Sequence, residues 1–136
     1  MTLQVELVVP EGEVWAGPAQ MVIAKTLDGD IGVLTGHTPV LGILAEGSVV
    51  RIMPEDDGSE IIAAVGGGFF SVADDRVSVL ARQAQLGREV DTRAAQAALD
   101  DALQDAGASV RGDEESADVR YFRALLRAAG DSADRP

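Results

Sequence analysis

Composition breaks sharply after Leu86, and the break restricts the chain to a β domain with a helical appendage. Before it, Leu3, Val5 and Leu7 alternate with Gln4 and Glu6, the period of a half-buried strand. Met21 to Thr26, Ser48 to Met53, Glu60 to Val65, Phe69 to Val72 and Arg76 to Arg82 are further β-rich runs. Pro10 to Gly12, Asp28-Gly29, Asp57-Gly58 and Asp74-Asp75 punctuate them as turns. Many short strands at this spacing predict a sandwich or barrel. After Leu86, alanine, arginine and acidic residues take over. Asp91 precedes a strong helix former that stops at Gly107, with Ala95, Ala98, Leu99, Ala102, Leu103 and Ala106 on one face. That face is small, so it permits close approach and contributes little burial. A polar stretch, Ser109 to Asp118, leads to a second helix ending at Gly130. Its apolar face is predicted to be Val119, Phe122, Leu125, Leu126 and Ala129. Two antiparallel helices form the simplest arrangement.

Charge and targeting signals exclude several functions. The net charge is −12, with −8 through Gly87 and −4 from Arg88 onward. So acidic a chain does not suit non-specific binding to nucleic acid or anionic membranes. No apolar run approaches the ~18–20 residues of a membrane span. The N-terminus lacks the pattern of a secretory signal. There is no cysteine, which rules out disulfides and thiolate metal sites and fits a cytosolic address.

The run from Gly29 to Leu41 is built for shape. Gly29, Gly32, Gly36 and Pro39 surround the lone histidine, His37. A zinc site needs three or four N, S or O ligands, and no Asp/Glu cluster supplies the remainder. A hydrolase reading lacks a Gly-x-Ser-x-Gly elbow. His37 therefore reads as a packing or interface residue, against the rival of a small β-sandwich enzyme. Gly66-Gly67-Gly68 lacks the phosphate-loop pattern and continues as strand, so it reads as a bend where backbones approach closely. Asp91 reads as a helix N-cap, with a ligand contact as the sharper alternative. Arg93 reads as a solvated side chain. Arg120, Arg123 and Arg127 project within a ~60° arc of the second helix. In an acidic chain this basic stripe suits an acidic partner surface.

With these residues assembled, the chain resembles the epsilon subunit of F-type ATP synthases, in an actinobacterial manner. Val9-Pro10-Glu11 with Trp15 and Gly17 looks like the family's opening strands. Gly29-Asp30-Ile31-Gly32-Val33-Leu34-Thr35-Gly36-His37-Thr38-Pro39-Val40-Leu41 resembles its most recognisable stretch. Gly67-Gly68-Phe69, Ser71-Val72 and Val77 to Ala81 resemble its closing strands, and Val90-Asp91 its first helix start. The resemblance implies a mainly β sandwich of about ten strands over residues 1–87. A regulatory two-helix hairpin follows over 88–130, then a disordered tail over 131–136. It implies a non-catalytic central-stalk rotor subunit, peripheral at the cytoplasmic face of the bacterial cell membrane. The expected partners are the gamma subunit and the c ring, and transiently the beta subunits. Asp28, Gly29, Asp30, Thr35, Gly36, His37, Thr38 and Pro39 are the implied gamma and c-ring contact. Arg120, Arg123 and Arg127 are the implied inhibitory helix face. No cofactor is required. Some members bind ATP through Ile-Asp-x-x-Arg-Ala, for which Asp91 and Arg93 are the candidates. Here the arginine follows the aspartate by two residues where the motif has three, which moves it to another helix face. A stand-alone nucleotide-sensing module is the alternative reading.

Overall fold

A computed structural model describes residues 2–55, 58–106 and 116–133. Nine strands come first: β1 (Leu3–Val9), β2 (Gly12–Thr26), β3 (Gly29–Val33), β4 (Val40–Ile43), β5 (Ser48–Pro54), β6 (Ile61–Val65), β7 (Gly68–Ala73), β8 (Arg76–Ala81) and β9 (Ala84–Leu86). A 3-10 turn, Gly87–Glu89, leads to helices α1 (Thr92–Ala106) and α2 (Ala117–Ala133). The strands run in the order β4-β7-β8-β1-β2-β5-β6-β9, with β3 also on β2. Pairing is antiparallel throughout except for β1 with β8, which is parallel.

The long strand β2 makes this sheet a sandwich. Its first half pairs with β1, and its second half lies between β3 and β5. The register slips between Ala19 and Met21, a bulge of the kind that bends a strand from one layer into the other. In the sequence the opening strands and Met21–Thr26 are separate runs. The chain joins them into one, so the described residues form nine strands where the resemblance implied about ten. Leu3, Val5 and Leu7 face Ala19, Gly17 and Trp15 across the β1–β2 ladder. With Val22, Val33, Ile52, Phe70, Val77 and Val79 they fill the interlayer core. The Gly66–Gly68 bend works by close approach: a Cβ on Gly68 would collide with the Leu80 carbonyl oxygen.

Strand β6 is buried along its whole length, Ile61 to Val65. One side faces the sandwich core. On the other, Ile62 and Ala64 meet α2 through Tyr121, Ala124, Leu125 and Ala128. Thus α2 is covered on two sides, by the sheet and by α1. The predicted face of α2 holds for Val119, Leu125 and Ala129, which are buried, while Phe122 and Leu126 are half-buried. It omits Tyr121, Ala124 and Ala128, because a one-stripe pattern describes a helix with one neighbour. The predicted α1 face holds for Ala95 and Leu99, whereas Leu103 is exposed. Helix α2 continues to Ala133, three residues past the glycine read as its end, so 131–133 are helical and not part of a disordered tail. A single glycine lowers helix propensity by only ~1 kcal/mol. Residues 134–136, the side chain of Ala106, Gly107, most of the Ser109 to Asp118 stretch, and Asp57 of the Asp57-Gly58 turn lie outside the described residues.

Candidate functional site

The Gly29–Leu41 run folds as an edge strand with a turn at each end. Leu27 and Asp28 make the β2–β3 turn, where Thr26 Oγ1 accepts the Asp28 N–H at 3.2 Å and donates at 2.8 Å to the carbonyl of Gly29, the first residue of β3. Thr35 and Gly36 make the turn beyond β3, closed by the His37 N–H to the Leu34 carbonyl at 3.2 Å. The two turns are therefore separated by a five-residue strand, about 15 Å at ~3.3 Å per residue. Asp28, Gly29, Asp30, Gly36, Thr38 and Pro39 are exposed, and Thr35 and His37 are half-buried. His37 Nδ1 lies 2.6 Å from the Thr38 carbonyl oxygen. A carbonyl only accepts, so Nδ1 is the donor nitrogen in this contact. Across the sandwich, Asp75 Oδ1 accepts the Gly36 N–H at 2.7 Å.

Beside this edge lies an apolar surface that the sequence reading does not single out. Ile43, Phe69 and Leu80 are successive cross-strand partners on β4, β7 and β8, and the row continues to Val8 on β1. Their neighbours in sequence, Phe70 and Val79, point into the core, so these side chains face outward. Phe69 is 53% exposed and Leu41, one pleat along β4, 73%. The backbone of Leu27, whose side chain is also exposed, adjoins this strand, its N–H donating to the Ile43 carbonyl at 2.9 Å. Large apolar side chains are thus contiguous across four strands, where exposed apolar residues are otherwise scattered singly. The sequence signal was present in Phe69-Phe70 and Val79-Leu80, where both faces of a strand are apolar.

The hairpin rests on the sandwich at two places. One is the small apolar contact of α2 on Ile62 and Ala64. The other is the β4–β5 turn, where Gly47 has φ 62° and a Cβ would stand within 3.0 Å of the Arg120 backbone. Helix α2 is therefore seated backbone on backbone, which only glycine allows here. The turn is braced on both sides of Gly47. Glu46 pairs with Arg82, and the buried Ser48 donates its Oγ hydrogen to the Ala45 carbonyl at 2.9 Å. Arg120, Arg123 and Arg127 lie exposed on α2. Asp91 Oδ1 accepts the Ala94 N–H at 3.1 Å, the N-cap contact its position predicts. A cavity of about 210 Å³ lies beside it, lined by Val90, Asp91, Ala95, Ala98, Phe122 and Leu125 among others. Among the described residues no lysine or arginine lines this cavity, and Arg93 is exposed and not part of its lining. The charge at its mouth is the Asp91 carboxylate, where phosphates would need cations. Among the described residues no group of three or more His, Cys, Asp or Glu is placed to hold a metal ion.

The sequence profile of the ATP synthase delta/epsilon chain β-sandwich domain matches residues 2–87. The chain belongs to this family. Within the ATP synthase delta/epsilon family, an epsilon chain of Thermobifida fusca is 52% identical over 129 residues, covering 93% of this chain and 91% of that one. One from Streptomyces griseus is 47% identical over 125 residues, covering 92% and 97%. Among solved structures, a chain of the Euglena gracilis mitochondrial ATP synthase (OSCP, F1 and c ring) superposes with a TM-score of 0.70 at 19% identity, covering 97% of this chain and 81% of that chain. A chain of the Tetrahymena thermophila central stalk and c ring gives 0.54 at 14% identity, covering 97% and 93%. At these identities the structures establish a shared fold alone, and each superposition covers 97% of this chain. No described helix of this family member is long and apolar enough to cross a membrane.

Proposed function

We propose that this chain is a non-catalytic central-stalk rotor subunit of a proton-translocating F-type ATP synthase at the cytoplasmic face of the bacterial cell membrane. It couples the gamma subunit to the c ring through the sandwich. Its hairpin restrains ATP hydrolysis. The observation that carries the first part is the exposed row Ile43, Phe69, Leu80 and Val8 beside the two turns of β3. An apolar face bordered by Asp28, Asp30, Thr35, Gly36, His37, Thr38 and Pro39 presents a buried-core-and-polar-rim pattern to a partner. Its strands β7, β8 and β1 are each held by ladders on either side, so the face transmits torque without deforming. Co-purification of the full chain with a gamma subunit and c ring is the expected result, and a chain that travels with neither contradicts it.

The second part rests on how lightly the hairpin is held. Its seat uses Ala64, Ala95, Ala124 and Ala128, and such small side chains leave a gap of a few kcal/mol between docked and released states. Released, α2 carries Arg120, Arg123 and Arg127 to acidic surface on the beta subunits. Replacing all three with Ala is expected to raise ATPase activity of the assembled enzyme about tenfold, the effect of ~1.4 kcal/mol of lost contact. Unchanged hydrolysis in that triple variant overturns the restraint.

A further inference from the structure

The β7–β8 hairpin turns on Asp74 and Asp75, with φ of 51° and 61°. Every other described residue with positive φ is a glycine. Two successive left-handed residues make a type I′ turn, and glycine is the low-strain residue at its second position. Asp75 occupies that position, so the turn is less comfortable than Asp-Gly would make it. What the carboxylate supplies lies outside the turn. Its Oδ1 accepts the Gly36 N–H at 2.7 Å, across 39 positions of sequence. The Asp75 carbonyl accepts the Gln4 N–H at 2.8 Å, which fixes the aspartate's own backbone to the start of β1. Gly36 is thereby referenced to the β1–β8 frame, although it sits at the far end of an edge strand. The turn it belongs to closes on itself through Leu34 and His37. Nothing crowds Gly36, since a Cβ there would meet no atom within 4 Å. No side-chain packing on that side holds Gly36, and a directed, charge-assisted hydrogen bond ties its amide to Asp75.

We propose that Asp75 is a positioning residue for the Thr35–Pro39 turn, holding it preformed for the stalk at the expense of an unstrained hairpin. This rests on the reading of that turn as gamma and c-ring contact. The alternative is that Asp75 serves only the stability of its own hairpin. The two separate on replacement by glycine, which relieves the backbone strain and deletes the tie. For the full chain carrying Asp75→Gly, the melting temperature is expected to stay within ~2 °C of wild type or to rise. The Gly36 amide is expected to exchange about tenfold faster by NMR. Binding to a purified gamma–c-ring subcomplex is expected to weaken about tenfold. Asp75→Asn keeps an oxygen acceptor and tolerates left-handed φ, so it is expected to restore both the slow Gly36 amide and the binding. A Gly36 amide unchanged in Asp75→Gly overturns the tie. A large fall in melting temperature there, or no rescue by Asn, assigns Asp75 a purely structural role and overturns the proposal. A freed Gly36 amide with undiminished binding overturns the contact reading of Thr35–Pro39 itself while leaving the hydrogen bond's role in the free chain intact.

Discussion

The sandwich and the hairpin are both buried against β6, but they are held by different means. On its inner side the sheet buries Leu3, Leu7, Ile52 and Phe70 essentially completely, each worth ~1.5–3 kcal/mol. Backbone ladders tie every strand to its neighbours. On its outer side the contact with α2 is made half by alanines, Ala64, Ala124 and Ala128, and half by the larger Ile62, Tyr121 and Leu125. No ladder crosses that boundary. A buried methyl contributes about 0.8 kcal/mol, so the alanine half of this contact adds little, which is what the proposed release of the hairpin requires. The difference suits a rigid coupler joined to a two-state regulator.

The comparison breaks most readily at the apolar row. Phe69→Glu with Leu80→Glu places two charges on the outward face without touching the core. It is expected to leave melting and the docked hairpin as in wild type. Affinity for the gamma–c-ring subcomplex is expected to fall at least a hundredfold, about 2.7 kcal/mol, as for loss of central apolar anchors. Isothermal titration of variant against wild type checks this, and equal affinities remove the row from the interface. The next effect falls on the hairpin alone. Gly47→Ala brings a Cβ against the Arg120 backbone and adds left-handed strain, together ~2–4 kcal/mol against docking. Hydrogen exchange should quicken across α2 while β1 and β8 amides keep wild-type rates. Equal loss in both regions would make the two interfaces one cooperative unit.

The smallest effect is a titration. Burial pushes the Tyr121 phenol above its ordinary value of 10.0. The docked hairpin therefore holds that proton more tightly than the released one. Docking is at full strength below pH 10 and weakens as pH rises through the docked-state value. The ultraviolet absorbance of tyrosinate, followed alongside α2 exchange, should show both changing together above pH 10. Tyr121→Phe should abolish the pH dependence and retain docking.

The sequence made the sandwich legible where each strand has one wet face. The Leu3-Val5-Leu7 alternation translates directly into buried and exposed positions on β1. It failed where a second layer covers the strand. Ile61 to Val65 show no alternation because α2 covers their outer side, and no local pattern reports that. Tyr121 was missed for the same reason, since its partners Ile62 and Ala64 are some sixty residues earlier in the chain. The Gly29–Leu41 run was legible as shape, but its division into two turns about 15 Å apart depends on β3 pairing with β2. Asp75 and Gly47 act through tertiary contacts alone. In sequence each is an ordinary turn residue, an aspartate after an aspartate and a glycine after a glutamate.

The separation of coupling from control is tested most directly by measuring gamma–c-ring affinity for Gly47→Ala and for Phe69→Glu with Leu80→Glu in parallel, with α2 exchange read on the same samples. The expected result is wild-type affinity with a freed α2 for Gly47→Ala, and lost affinity with a docked α2 for the double variant. Loss of affinity in Gly47→Ala, or retained affinity in the double variant, contradicts the assignment of assembly to the sandwich and control to the hairpin.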